Sequence, residues 1–230
     1  MQNKYQTFWL AMTLLLLSSS CSNKTTSEDA ARRGDAHYQR GEYDLAITDF
    51  TEAIRLDPRN AGLYYKRGDA HRKVNKADRA IADYTKVIEL DPTNDAAYGS
   101  RGWLNYEDEK YDQAIADLSE AIRFNSNSAY HHRSRAEAYY KKGEYDQAIT
   151  DFSTAIRLDP KDSYTYRALG IVHSKKKDYK QAISSFSEAI LLDSKNADNY
   201  KLRGEAYRAL GDDRKAAEDD RKAQELTKGA

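Results

Sequence analysis

A repeat of 34 residues limits what this chain can fold into more than any other feature. Arg33-Gly34, Arg67-Gly68, Arg101-Gly102 and Arg203-Gly204 are separated by 34 residues or a multiple of it. Six blocks, beginning at Ser27, Ala61, Asp95, Ala129, Ser163 and Ala197, carry the chain to Ala230 without an insertion. A unit of this size cannot bury its own apolar face, so neighbouring units must stack and share a continuous core. Position 20 of every block is Ala (Ala46, Ala80, Ala114, Ala148, Ala182, Ala216), and position 8 is Gly except at Ala136. Position 24 is Phe50, Tyr84, Leu118, Phe152, Phe186 and then Asp220, while Pro58, Pro92 and Pro160 fall at position 32, each after Asp. Apolar and small residues recur at three- and four-residue spacing in both halves of each block. The pattern therefore reads as helix, turn, helix, turn, with Asp-Pro ending the second helix.

At these positions the chain resembles the tetratricopeptide repeat family, whose pattern sets Trp, Leu-Gly, Tyr, Ala, Phe and Pro at fixed offsets. The resemblance covers all six blocks: 27–60, 61–94, 95–128, 129–162, 163–196 and 197–230. Tyr64, Tyr98, Tyr166 and Tyr200 replace the Trp at position 4, and His37, His71 and His173 replace the Tyr at position 11. The resemblance implies an all-α fold, a right-handed superhelical solenoid of six helix-turn-helix repeats. First helices would line the concave face, where such proteins bind other proteins. The last block caps itself, because Asp220 takes the aromatic position while Ala216 and Ala223 stay for packing. At the other end, Thr25 with Glu28 fits a capping box.

Comparison among the blocks adds a charge rule. Position 7, usually Leu in the family, is Arg33, Arg67, Arg101, Arg135 and Arg203, with Leu169 the exception. Position 23 is Asp49, Asp83, Asp117, Asp151 and Asp219, with Ser185 the exception in the same block. Charge and partner vanish together. This predicts five ion pairs, each inside its own repeat and structural in role.

The groove face is predicted from helical period. Positions 2, 5, 9 and 12 of the first helices lie opposite the packed positions 4, 8 and 11. They hold seven aromatics, Tyr38, Tyr65, Trp103, Tyr106, Tyr130, Tyr140 and Tyr164, joined by Arg72, Arg133, Arg167, Lys201 and Arg208. The outward positions of the second helices hold no aromatic residue. Aromatic residues and arginine are what protein interfaces enrich, so these twelve residues form the candidate partner-binding groove. The competing reading is that some tyrosines pack on the adjacent repeat, and that Arg133 with Glu137, or Lys201 with Glu205, is an exposed i to i+4 pair. Co-chaperone repeats that grip a terminal carboxylate use Lys at position 5 and Asn at position 9; here those positions read Arg133 and Glu137, Lys201 and Glu205, so that specificity is absent.

Composition closes several other routes. Lys and Arg total 37 against 37 Asp and Glu, a balance unsuited to gripping nucleic acid through its phosphates. One cysteine cannot form an internal disulfide, and five scattered His without Cys partners predict no metal site. His131-His132 reads as an exposed pair beside a turn. No phosphate-cradling loop, nucleophile elbow or metal-ligand spacing is present, so neither enzymatic activity nor a cofactor is expected.

Residues 1–21 read as an export signal: Lys4 supplies positive charge, Phe8 to Leu17 is an apolar run, and Ser18-Ser19-Ser20 precedes Cys21. A ten-residue run is too short for a membrane span, which takes about 20. Leu17 to Cys21 resembles the lipobox of bacterial lipoproteins, with Leu17 one position earlier than usual. Two readings stand: Cys21 is lipidated, or ordinary cleavage near Ser20 frees a periplasmic or secreted protein. With lipidation, residues 22–26 form a tether of at most about 18 Å. The expectation is a protein-protein interaction scaffold of the bacterial cell envelope, membrane-bound only through Cys21. The alternatives are a structural spacer or self-assembling element, and an accessory subunit of an envelope enzyme or secretion complex.

Overall fold

The computed structural model describes residues 26–228. The expectations for the signal, Cys21 and nearly all of the tether lie outside them. Among the described residues there are twelve helices and no strand, arranged as six consecutive pairs: α1 (Ser27–Gln39) with α2 (Tyr43–Leu56), α3 (Ala61–Lys73) with α4 (Ala77–Leu90), α5 (Asp95–Glu107) with α6 (Tyr111–Phe124), α7 (Ala129–Lys142) with α8 (Tyr145–Leu158), α9 (Ser163–Lys175) with α10 (Tyr179–Leu192), and α11 (Ala197–Ala209) with α12 (Asp213–Lys228). The fold is the helix-turn-helix solenoid that the repeat predicts. No helix among the described residues is long and apolar enough to cross a membrane.

The same two devices delimit these helices again and again. Thr26, Asn60, Asn94, Ser128, Asp162 and Asn196 cap the first helices, each side-chain oxygen accepting a backbone N–H of the first turn. At the start the capping box is Thr26 with Asp29, one residue beyond the predicted Thr25 and Glu28, because Asp29 is the residue whose carboxylate reaches back to the Thr26 N–H. Between the helices of each pair the chain turns through a left-handed residue at position 15. Gly41, Gly143 and Gly211 take φ of 77°, 80° and 81°, and Asn75, Glu109 and Lys177 take 56°, 57° and 66° at the same place. The following N–H reaches back five residues, as from Glu42 to the His37 carbonyl, which satisfies the end of the first helix.

The chain divides into two compact units between Asp83 and Tyr84, within α4. In the first, α1 packs on α2 and α2 on α3 around Ala30, Ala46, Phe50, Ala53, Leu63 and Ala70. Gly34 lets the helices close, since a Cβ there would lie 2.6 Å from the Phe50 ring. In the second unit α5 to α12 pack in sequence, each helix on the next. Its core repeats the same scheme: Ala114, Leu118 and Ala138, then Ala136, Ala148 and Phe152, then Ala182, Phe186 and Ala206.

All five predicted ion pairs form inside their own helix pair. Arg33 lies 3.0 Å from Asp49, and Arg67, Arg101, Arg135 and Arg203 each make two bonds to Asp83, Asp117, Asp151 and Asp219 at 2.6–3.0 Å. The structure adds a partner that the sequence comparison missed. The third guanidinium nitrogen donates to a hydroxyl at position 25 of the preceding pair: Arg67 to Thr51 at 3.2 Å, and Arg101 to Thr85, Arg135 to Ser119 and Arg203 to Ser187 at 3.0 Å each. The arginine thus staples successive pairs together. Arg33 has no preceding pair among the described residues and turns instead to Glu52 at 2.6 Å. In the fifth pair Leu169 and Ser185 are both buried, so the ion pair is replaced as a unit.

The histidines differ from expectation in one respect. His131 and His132 are buried, at 5% and 8% exposure. His131 Nε2 lies 3.0 Å from Asp95, and His132 lies 3.2 Å from Asp151 and 3.1 Å from the Ser126 carbonyl. The ring of His131 fits against Gly99, whose missing side chain leaves it room. Acceptors on the packed side of the helix thus hold both imidazoles inward, and Gly99 belongs to this contact rather than to an open groove.

Candidate partner-binding site

In the first unit the predicted groove residues are only partly available. Tyr38 is half-buried and packs edge-on against Tyr43, with ring centroids 5.3 Å apart. Tyr65 is half-buried, and exposed Arg72 lies 3.7 Å from Asp69. In the second unit Tyr106 and Tyr140 repeat the Tyr38 pairing, packing in tilted contacts on Tyr111 at 5.9 Å and Tyr145 at 6.1 Å. Position 12 therefore holds tyrosines in these three pairs that pack on the first residue of the second helix. Trp103 lies beside Tyr106 at 5.1 Å.

Four other predicted residues come together as an alternating ladder of rings and cations. Tyr130 and Tyr164 are the most open of the seven aromatics, at 42% and 44% exposure. The Arg133 guanidinium lies 5.6 Å from the Tyr130 ring centroid and 5.5 Å from that of Tyr164, and Arg167 lies 5.3 Å from Tyr164 on from there. All are within reach of cation–π attraction. Positions 2 and 5 of successive first helices build this ladder because residues three apart share a helix face. Arg133 is held by Asp162 at 2.7 Å, not by Glu137 as the i to i+4 spacing suggested. Asp162 also caps α9, and bonds from Thr165 and Arg133 outweigh its partial burial and keep its carboxyl below the usual range.

Beneath the ladder sits Glu137, a carboxylate with only 7% exposure that the sequence reading counted as groove-facing. Burial raises its pKa, opposed by the Tyr164 phenol and the Arg133 charge. The effect is mutual. Burial, then the Glu137 charge, push the Tyr106 phenol up to about 12, and the same two causes raise Tyr164. These phenols stay protonated through the neutral range and are available as donors.

Beyond the ladder, Tyr164, Arg167, Asp198, Lys201, Leu202 and Glu205 line a cavity of about 420 Å³. Lys201 thus lies where it was predicted, whereas Arg208 is drawn off to Asp220 at 2.5 Å. Ile171, Leu202 and Glu205 also line this cavity, and Glu137 lies buried under the ladder; none of the four is an aromatic or a cation, the residue types by which the groove is predicted. Their signal was position alone: 6 and 9 on the same helical face. No cluster of three or more His, Cys, Asp or Glu among the described residues is placed to hold a metal.

These features define a helical repeat protein with one decorated helix face. The pattern of the TPR repeat matches residues 34–75 and 136–177, and that of the tetratricopeptide repeat matches 65–129 and 167–230. The chain belongs to the tetratricopeptide repeat family. No curated protein matches it. Among solved structures it is similar to MamA, at 25% identity and a TM-score of 0.70 over 73% of this chain and 92% of that one. YrrB, described as a TPR protein with an unusual peptide-binding site, aligns at 24% identity and a TM-score of 0.69 over 77% of this chain and 91% of that one. PilF of Pseudomonas aeruginosa aligns at 18% identity and a TM-score of 0.74 over 89% and 93%. The last two likenesses concern the fold.

Proposed function

We propose that this chain is a non-catalytic scaffold that holds a segment of a partner protein against the first helices α7, α9 and α11. The observation that carries this reading is the ladder Tyr130, Arg133, Tyr164 and Arg167, opening onto the cavity at Lys201. Rings and guanidinium groups held in place by their neighbours lose little entropy on binding, which is how a preformed surface gains affinity. Extended surfaces of this kind are what solenoids use for recognition, and YrrB is described as binding peptide on the same fold.

The test is cross-linked capture from native cell envelopes with the full chain, comparing wild type with a combined Tyr130→Ala, Tyr164→Ala and Arg167→Ala variant that keeps its helical circular dichroism. Loss of captured partners by about tenfold or more is expected if these are anchors. Equal capture by the two proteins contradicts the groove.

The envelope setting is part of the same proposal, supported by Lys4, the apolar run Phe8 to Leu17 and Cys21. Metabolic labelling with palmitate is expected to mark the wild-type chain and not Cys21→Ser. An unlabelled wild-type chain would contradict lipidation.

A further inference from the structure

Four helix pairs carry tyrosine at position 17 (Tyr43, Tyr111, Tyr145 and Tyr179), and in one of them the position-12 tyrosine that packs on it is missing. In the first pair Tyr38 packs on Tyr43 and against the cluster Ala46, Phe50 and Ala70. In the third, Tyr106 packs on Tyr111 and against Ala114, Leu118 and Ala138. The fifth pair keeps every other part of this arrangement. Tyr179 stands at position 17, and Ala182, Phe186 and Ala206 form the equivalent cluster. At position 12, however, it has Ser174. Where the ring would lie there is a cavity of about 530 Å³, lined by Ser174, Tyr179, Phe186, Ile171, Leu202 and Ala206.

We propose that this recess is a socket for a tyrosine side chain carried by the bound segment. The inference rests on the groove reading above and specifies what the segment must contain. The chain itself shows what covers this surface elsewhere, because three of its own tyrosines, Tyr38, Tyr106 and Tyr140, cover the equivalent wall. The walls are mostly apolar, with Ser174 and Lys175 at their polar edge, and include the Tyr179 ring, which suits an incoming ring in an edge-on or tilted contact. Glu205 also lines the recess, and its carboxylate is an acceptor for a phenol O–H. A ring with a donor at its far end matches both features, whereas phenylalanine or leucine meets only the first. The recess also joins the groove. Ile171, Leu202 and Glu205 line both this cavity and the one beside Tyr164, Arg167 and Lys201, so one extended segment reaches the ladder and the socket together.

The probe is p-cresol, the tyrosine side chain as a free molecule, titrated into the isotope-labelled full chain and followed by amide chemical shifts. The expected result is saturable shifts at Ser174, Leu202 and Ala206, with a dissociation constant on the order of 1–10 mM for so small a ligand. Toluene, which lacks the hydroxyl, is expected to bind more weakly. Ser174→Tyr should fill the socket as Tyr38 and Tyr106 fill theirs, keep or raise the melting temperature, and abolish the shifts. Ser174→Leu provides a second plug should the first perturb folding. Unchanged p-cresol shifts in both variants, no saturable shifts in wild type, or toluene binding as tightly as p-cresol would each overturn the proposal. Envelope capture separates the two levels. If Ser174→Tyr retains the partners that the triple groove variant loses, the socket is refuted and the groove stands; if neither variant loses them, the groove reading itself fails.

Discussion

At the scale of single residues, two charges set testable limits on stability. Burial holds the Glu137 proton more tightly in the folded chain than in the unfolded one. The stability it contributes is complete below its ordinary value of 4.5 and is lost as pH rises through the higher folded value. Glu137→Gln is therefore expected to raise the melting temperature at pH 7, with the gap to wild type closing below about pH 4.5; equal melting temperatures at both pH values would contradict the burial argument. Arg101 and Asp117 are the second case. Arg101→Leu alone leaves a buried carboxylate with Asn105 as its remaining donor and is expected to lose about 3 kcal/mol in urea denaturation. Adding Asp117→Ser reproduces the solution found in the fifth pair, Leu169 with Ser185, and should recover most of that loss. The pairing was legible because charge and partner disappear together in one block. The hydroxyl that each arginine also grips was not, since serine and threonine at position 25 look like ordinary surface residues until the preceding helix is seen beside them.

At the scale of the element, the turn inside each pair carries a conformational demand that the sequence half conceals. Three of the six turns meet it with glycine and one with Asn75, which tolerates positive φ, whereas Glu109 and Lys177 meet it with side chains that resist positive φ. Glu109→Gly and Lys177→Gly are expected to stabilise the chain by about 1 kcal/mol each, and Gly143→Ala to destabilise it by a similar amount, measured by urea denaturation. Stabilisation absent from both glycine variants would show that the strain is relieved elsewhere. Glycine at 41, 143 and 211 pointed to the turn, but lysine and glutamate at the same position gave no hint of it. The burial of His131 and His132 was hidden for a similar reason: their acceptors, Asp95 and Asp151, lie at least 19 residues away along the chain.

At the scale of the whole molecule, the fold was legible because each helix pair touches mainly its neighbours, so a 34-residue period in the sequence becomes a period in the structure. The site was legible only as a face. Helical spacing placed Tyr130, Arg133, Tyr164 and Arg167 on one side, and they assemble there. Spacing did not reveal that Tyr38, Tyr106 and Tyr140 belong largely to packing, because that depends on a tyrosine five residues further on. Nor did it reveal the recess at Ser174, which exists only by contrast with the other pairs. The central claim is that first helices recognise and second helices support. Hydrogen exchange of the full chain, alone and bound to a captured partner, tests it most directly. Slowed exchange along α7, α9 and α11 with α8, α10 and α12 unchanged is the predicted result; slowed exchange confined to α8, α10 and α12 would contradict it.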